Sequence, residues 1–196
     1  MFWQRLFTNR FIKDSIFSLF IILSLYGVTH NPVVRPRTQA IPGNWSIEFM
    51  QHPLLFGFAG HNYLALRNQD GVIVSELHGL ATDATTRQWK YVGSNKQDIL
   101  QVWEFENGRY YLAEKAFPGV VLHEGAGESM QKVWNMGRSC VTPINAQNIA
   151  YPPYGISFKN ETRNSNSVAY TLAKCMLLDT RHVGIFTPGS TMNLLR

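Results

Sequence analysis

Apolar and polar positions alternate over short runs through most of the chain. Residues 61–67, HNYLALR, and 72–78, VIVSELH, are two such runs around Asn68-Gln-Asp-Gly71. A polar turn ending in glycine between strand-like runs predicts an antiparallel hairpin. Residues 98–106 and 109–116 flank Asn107-Gly108 and predict a second hairpin. Residues 120–123 read as one more strand. The period then changes. Met130, Val133 and Trp134 predict a helix over 128–137 that stops at Gly137. Val168, Leu172, Cys175 and Met176 share one face of a helix over 167–178, opened by small polar residues. Strands in hairpins and helices elsewhere give an α+β domain, an antiparallel sheet with helices packed on it.

Residues 15–28, SIFSLFIILSLYGV, are fourteen positions without a charge, preceded by Arg5, Arg10 and Lys13. A basic stretch followed by an apolar one is the layout of an export signal. As a helix it spans about 21 Å, short of a hydrocarbon core of roughly 30 Å. Extending it to residues 11–28 includes Lys13, which can snorkel to the interface, and Asp14. No pair of small residues marks a cleavage site. The segment 1–28 is therefore expected to be a hydrophobic helix, acting as a signal peptide or as a membrane anchor through residues 11–28. A buried N-terminal helix is the remaining alternative. Residues 29–45, with three prolines and no period, read as a linker, and 46–196 as the globular domain. Export puts that domain in the cell envelope, anchored or secreted.

The charge supports this division. The chain carries +5, with 45% hydrophobic and only 16% charged residues. Residues 1–37 hold five basic residues against Asp14, leaving thirteen basic and twelve acidic residues for 38–196. A nearly neutral domain is not a nucleic-acid binder, which needs its positive charge on the folded surface. Cys140 and Cys175 are the only cysteines. An oxidising compartment permits a disulfide between them, and two buried thiols are the alternative. Neither Cys-x-x-Cys nor His-x-x-x-His spacing occurs, so no metal site is expected. Phosphate-loop, dinucleotide and nucleophile-elbow motifs are missing too, and no cofactor is implied.

Candidate chemistry concentrates in two places. His61 enters the first hairpin and His78 leaves it. If Arg67 pairs with Val72, His61 lies opposite His78 on one face. If the turn is a three-residue loop with a bulge at Gly71, His61 faces Gly79 and His78 moves to the other face. A histidine held by a second polar group is the arrangement a general base needs. The other place is Asn164-Ser165-Asn166-Ser167, at the start of the last helix. These residues suit capping, and a nucleophile there also gains from the helix N-terminal N–H groups and dipole.

Together these residues resemble a family pattern. GHNYLALRN, SELHG and NSNSVAYTL follow the order of the circularly permuted papain-like hydrolases. That group includes NlpC-type amidases, lecithin–retinol acyltransferase relatives and PPPDE peptidases. The resemblance covers roughly residues 57–180. It implies a papain-like fold with His61 as base, His78 as orienting residue and Ser165 at the nucleophile position. Asn164, Asn166 and Ser167 would form the helix start that meets the oxyanion. The family nucleophile is cysteine, and serine instead requires its proton to be taken during attack. The resemblance implies a hydrolase or acyl-transfer enzyme for amide, thioester or ester bonds in peptides, peptidoglycan or lipids. The alternative is a papain-like binding or structural module without catalysis.

Overall fold

A computed structural model describes residues 40–54, 59–106, 117, 119–155, 162–180 and 187–195. The hydrophobic leader and the return strand at 109–116 lie outside the described residues. Among the described residues, no helix is long and apolar enough to cross a membrane.

Among the described residues the domain is α+β, built on one antiparallel sheet of six strands. These are β1 (Trp45–Leu54), β2 (Ala59–Arg67), β3 (Ile73–Thr82), β4 (Trp89–Lys90), β5 (Ile99–Glu106) and β6 (Gly119–Gly125). Among the described residues three α-helices follow: α1 (Gly127–Ser139), α2 (Val141–Ala146) and α3 (Ser165–Cys175). β1 lies between β6 and β2, and β2 between β1 and β3. β5 runs along β3 from Ser75 to Thr82.

The apolar pattern does not announce β1, because Ser46, Glu48 and Gln51 interrupt it. All three are buried. Glu48 accepts from the Arg67 guanidinium at 2.8 Å and from the Ser46 hydroxyl at 3.2 Å. Buried polar groups need such partners, and an ion pair of this kind looks like surface sequence until the fold is seen.

One face of the sheet carries Ile47, Phe49, Leu64, Leu66, Leu77, Leu100 and Val102. Met130 and Trp134 of α1 and Val168, Ala169 and Leu172 of α3 pack on it. The other face presents Met50, Tyr63 and Ala65, with the buried Glu48, Glu76, His61 and His78 among them. α1 does not stop at Gly137 but runs on to Ser139. At Gly137 the Met176 side chain occupies the space a Cβ would fill, so this glycine serves helix packing, not helix ending. α3 starts at Ser165, two residues before the expected position, and ends at Cys175.

Cys140 and Cys175 form a disulfide with their Cα atoms 6.6 Å apart, joining the end of α1 to the end of α3. The crosslink closes a loop of 35 residues. On the chain-entropy model this contributes about 3–4 kcal/mol. Urea unfolding with and without reductant is expected to differ by that amount. Unchanged midpoints in reduced protein would contradict it.

Candidate active site

The hairpin register decides where the histidines go. Its turn is the three-residue form. The Asn68 amide donates to Val72 O, its Oδ1 accepts from the amides of Asp70 and Val72, and Gly71 takes φ +74°. Arg67 therefore pairs with Ile73. Taken alone, this register would send His78 to the face opposite His61. A second irregularity follows between Leu66 and Arg67, so that Leu66 pairs with Ser75 and Leu64 with Leu77. Each one-residue shift inverts the side chains and two restore them. His78 thus returns to the face of His61, displaced along the strand from the directly opposite position.

The result is a stack of buried rings. His61 Nε2 lies 3.0 Å from His78 Nδ1. Tyr63 stacks on His78 with centroids 4.3 Å apart, and Phe105 meets His78 edge-on at 5.5 Å. His78 Nε2 lies 3.2 Å from Glu76 Oε2. His52 neighbours His61 across the β1–β2 pair. Burial holds His61 well below the usual imidazole range, reinforced by His78 and His52. Burial, with a smaller contribution from His52, lowers His78 to about 3. Burial chiefly raises the Tyr63 phenol, and the Glu76 charge adds to it. Both imidazoles are therefore neutral near pH 7.

The four residues at the start of α3 also find defined positions. Asn164 caps the helix: its Oδ1 accepts from the amides of Asn166 (2.9 Å) and Ser167 (3.3 Å). The Ser167 hydroxyl accepts from the Asn164 amide at 2.8 Å, completing a capping box. Asn166 Oδ1 accepts from the backbone amide of Asn62 at 2.8 Å, fastening the helix to β2. Ser165 lies over β3: a Cβ on Gly79 would fall 2.9 Å from Ser165 Cα and 2.6 Å from Val168 Cβ. Its hydroxyl is bonded to the Tyr151 phenol, which burial raises above its ordinary pKa.

The structure thus joins His61 to His78 and seats Ser165 over the neighbouring residue, Gly79. It joins the Ser165 hydroxyl to Tyr151 and seats it on the helix-covered face of the sheet, whereas His61 and His78 lie on the opposite face, so the expected pairing of Ser165 with His61 across a groove is not formed. The amides of Asn166 and Ser167 serve the cap, so these two N–H groups are not presented to an oxyanion. Glu76 and Tyr151 belong to the site, and sequence reasoning passed over both. Glu76 was legible in principle, since it stands two residues before His78 on the same strand face. Tyr151 was not, because it arrives from a loop whose position depends on its amide bonding to Asp98 O. Among the described residues, no cluster of His, Cys, Asp or Glu has metal-binding geometry. Comparison with protein-family models, with curated proteins and with solved structures finds no match.

The neutral, buried histidines make stability pH-dependent. Their folded pKa values lie below the unfolded value of about 6.5. Between that value and the folded ones, the unfolded chain binds more protons, so stability rises with pH and is lost as pH falls below about 6.5. Each histidine gives a slope of up to about 1.4 kcal/mol per pH unit. Urea unfolding between pH 6.5 and 5, above most carboxylate titration, is expected to show this slope. His78→Gln is expected to reduce it by about half. A flat profile in the wild type would mean that the imidazoles are not held neutral.

Proposed function

We propose that the domain is a papain-like hydrolase or acyl-transfer module acting on amide, thioester or ester bonds in the cell envelope. Its substrates would be peptides, peptidoglycan stems or lipids, and the leader would tether or export it. The observation that carries this reading is the buried His61–His78 contact on β2 and β3, the strands over which the helix starting at Ser165 packs. A base held by a second imidazole and a hydroxyl at a helix start are the residue types of nucleophilic acyl transfer, here carried on opposite faces of the same sheet.

The proposed reaction requires Ser165 to leave Tyr151 and reach His61 past the end of the β2–β3 ladder, since the two start on opposite faces of the sheet. His61 takes the hydroxyl proton as Oγ attacks the carbonyl carbon. The same proton passes to the leaving group, giving an acyl-serine and the first product. Water, or a second acceptor in acyl transfer, then releases the acyl group by the same steps. The N-terminal dipole of α3 favours the oxyanion. Serine suits this route because the neutral His61 can accept its proton, whereas no thiolate has to be preformed.

A second reading, a binding or structural module of the same fold, is favoured by the bonding of the helix start. There the cap uses two amides and Tyr151 holds the Ser165 hydroxyl.

An activity-based fluorophosphonate, followed by peptide mass mapping, separates the two. The enzyme reading predicts labelling at Ser165 that is absent in Ser165→Ala. It also predicts hydrolysis of simple esters or thioesters that falls at least about a thousandfold in Ser165→Ala and is partly kept in Ser165→Cys. A folded protein with neither labelling nor hydrolysis would establish the module reading instead.

A further inference from the structure

The two edges of β3 are occupied differently. β5 runs along one of them from Ser75 to Thr82. The other carries β2 as far as Leu77 and then β4 at Ala81 and Thr82. β4 therefore stands past the end of the β2–β3 ladder, beside the place where the start of α3 meets β2. The chain projects just after β4, where Tyr91 and Val92 are 70% and 58% exposed. A second loop, Tyr151-Pro-Pro-Tyr154-Gly155, joins it through the Tyr154 amide, which donates to Gly93 O at 2.6 Å. Its tip, Tyr154, is 72% exposed. Tyr154 also holds φ at +56°, a left-handed conformation that a bulky side chain rarely adopts. Tyr151 packs against Gly93 and bonds the Ser165 hydroxyl, so both loops are fastened to the start of α3.

We infer that Tyr91, Val92 and Tyr154 form a docking surface for an anionic lipid bilayer. Large apolar side chains exposed side by side mark an interaction surface. A tyrosine ring with a polar tip belongs at the headgroup level of a membrane, and valine beside it suits insertion below. The tips are held in advance. Trp89 meets the Tyr91 ring edge-on at 4.8 Å, and two prolines stiffen the loop of Tyr154. Little order is then lost on binding. The charges select the bilayer. Segment 83–98 carries three basic residues against two acids. The acids, Asp83 and Asp98, are both bound to the Lys90 ammonium, at 2.9 and 2.7 Å. Arg87 and Lys96 stand exposed on either side of Tyr91 and Val92 along the chain, and the loop of Tyr154 has no charged residue. A second copy of the chain would set this basic rim against itself, whereas anionic headgroups complement it and add to the insertion of apolar groups. The inference stands apart from the acyl-transfer reading. It puts the bilayer at the mouth of the opening between β2 and β3, whatever reaction occurs there.

The test is hydrogen exchange, read by mass spectrometry, on the full-length protein in vesicles. One set is phosphatidylcholine alone, the other phosphatidylcholine and phosphatidylglycerol in equal parts. Any insertion of the leader is common to every sample, so differences within residues 89–96 and 151–155 report on the patch. The wild type is expected to exchange there at least about tenfold more slowly on the anionic vesicles than on the neutral ones. The double variant Arg87→Gln, Lys96→Gln is expected to lose most of that difference. The triple variant Tyr91→Ser, Val92→Ser, Tyr154→Asn is expected to exchange fast on both. Asparagine is chosen at 154 because it tolerates the left-handed conformation. Equal exchange of the wild type on the two lipids would overturn the inference, as would slow exchange that survives the triple substitution. Protection that rises with protein density and ignores lipid charge would overturn it in favour of self-association. If a variant does not fold, the wild-type comparison decides alone.

Discussion

The β2–β3 ladder ends at Leu64–Leu77, and the amide of Asn62 finds its acceptor in the Asn166 side chain instead of in β3. Most of the site follows from this substitution. A buried amide left unpaired costs about 1–3 kcal/mol. The strand can therefore leave its neighbour only where something else accepts that proton. Asn166 does so from the first turn of α3, and its Nδ2 donates onward to Pro188 O at 3.1 Å. Asn164 spreads the same logic, capping α3 with its oxygen and reaching Gly155 O and Pro188 O with its nitrogen. Four small polar residues thus tie a helix, a strand, a loop and the C-terminal segment together. Ser165 stands in the middle of that knot, and its position is inherited from it.

The far end of α3 is held by covalent bonding and by packing. The disulfide ties Cys175 to the end of α1 at Cys140, and Met176 fills the space that Gly137 leaves open. At the near end Gly79 lets Ser165 and Val168 approach β3 more closely than any side chain would allow. The helix is consequently fixed along its axis and against the sheet. That is what a site assembled from a helix start and two strands requires, since a misplacement of about 1 Å can cost a hundredfold in rate. The opposite sheet face contributes differently: its buried rings hold the two imidazoles neutral and side by side.

The hairpin around Gly71, the helices near 128–137 and 167–178 and the α+β class were all legible, because periodicity and turn chemistry act locally. The register was only half legible. Asn68 and Gly71 disclose the three-residue turn, but the shift between Leu66 and Arg67 has no sequence mark, and it alone restores the two histidines to one face. β1 was missed because its buried Glu48 needs Arg67 of another strand to make sense. The disulfide was an open alternative, since spacing along the chain says nothing of distance in space. At the site, the residue types at 61, 78 and 164–167 announced themselves. The partners Glu76 and Tyr151 depend on tertiary placement, as does the commitment of two helix amides to the cap.

The most direct measurement of the central claim, that Asn166 replaces β3 as the partner of β2, is hydrogen exchange at single amides in the wild type and in Asn166→Ala. The account predicts a protected Asn62 amide in the wild type. It predicts protection lowered at least about tenfold in the variant, the equivalent of roughly 1.4 kcal/mol. The Leu64 amide, inside the ladder, should change far less. Equal protection of Asn62 in both proteins would mean that the strand has another partner there, and that the helix start is not what opens and seals the sheet.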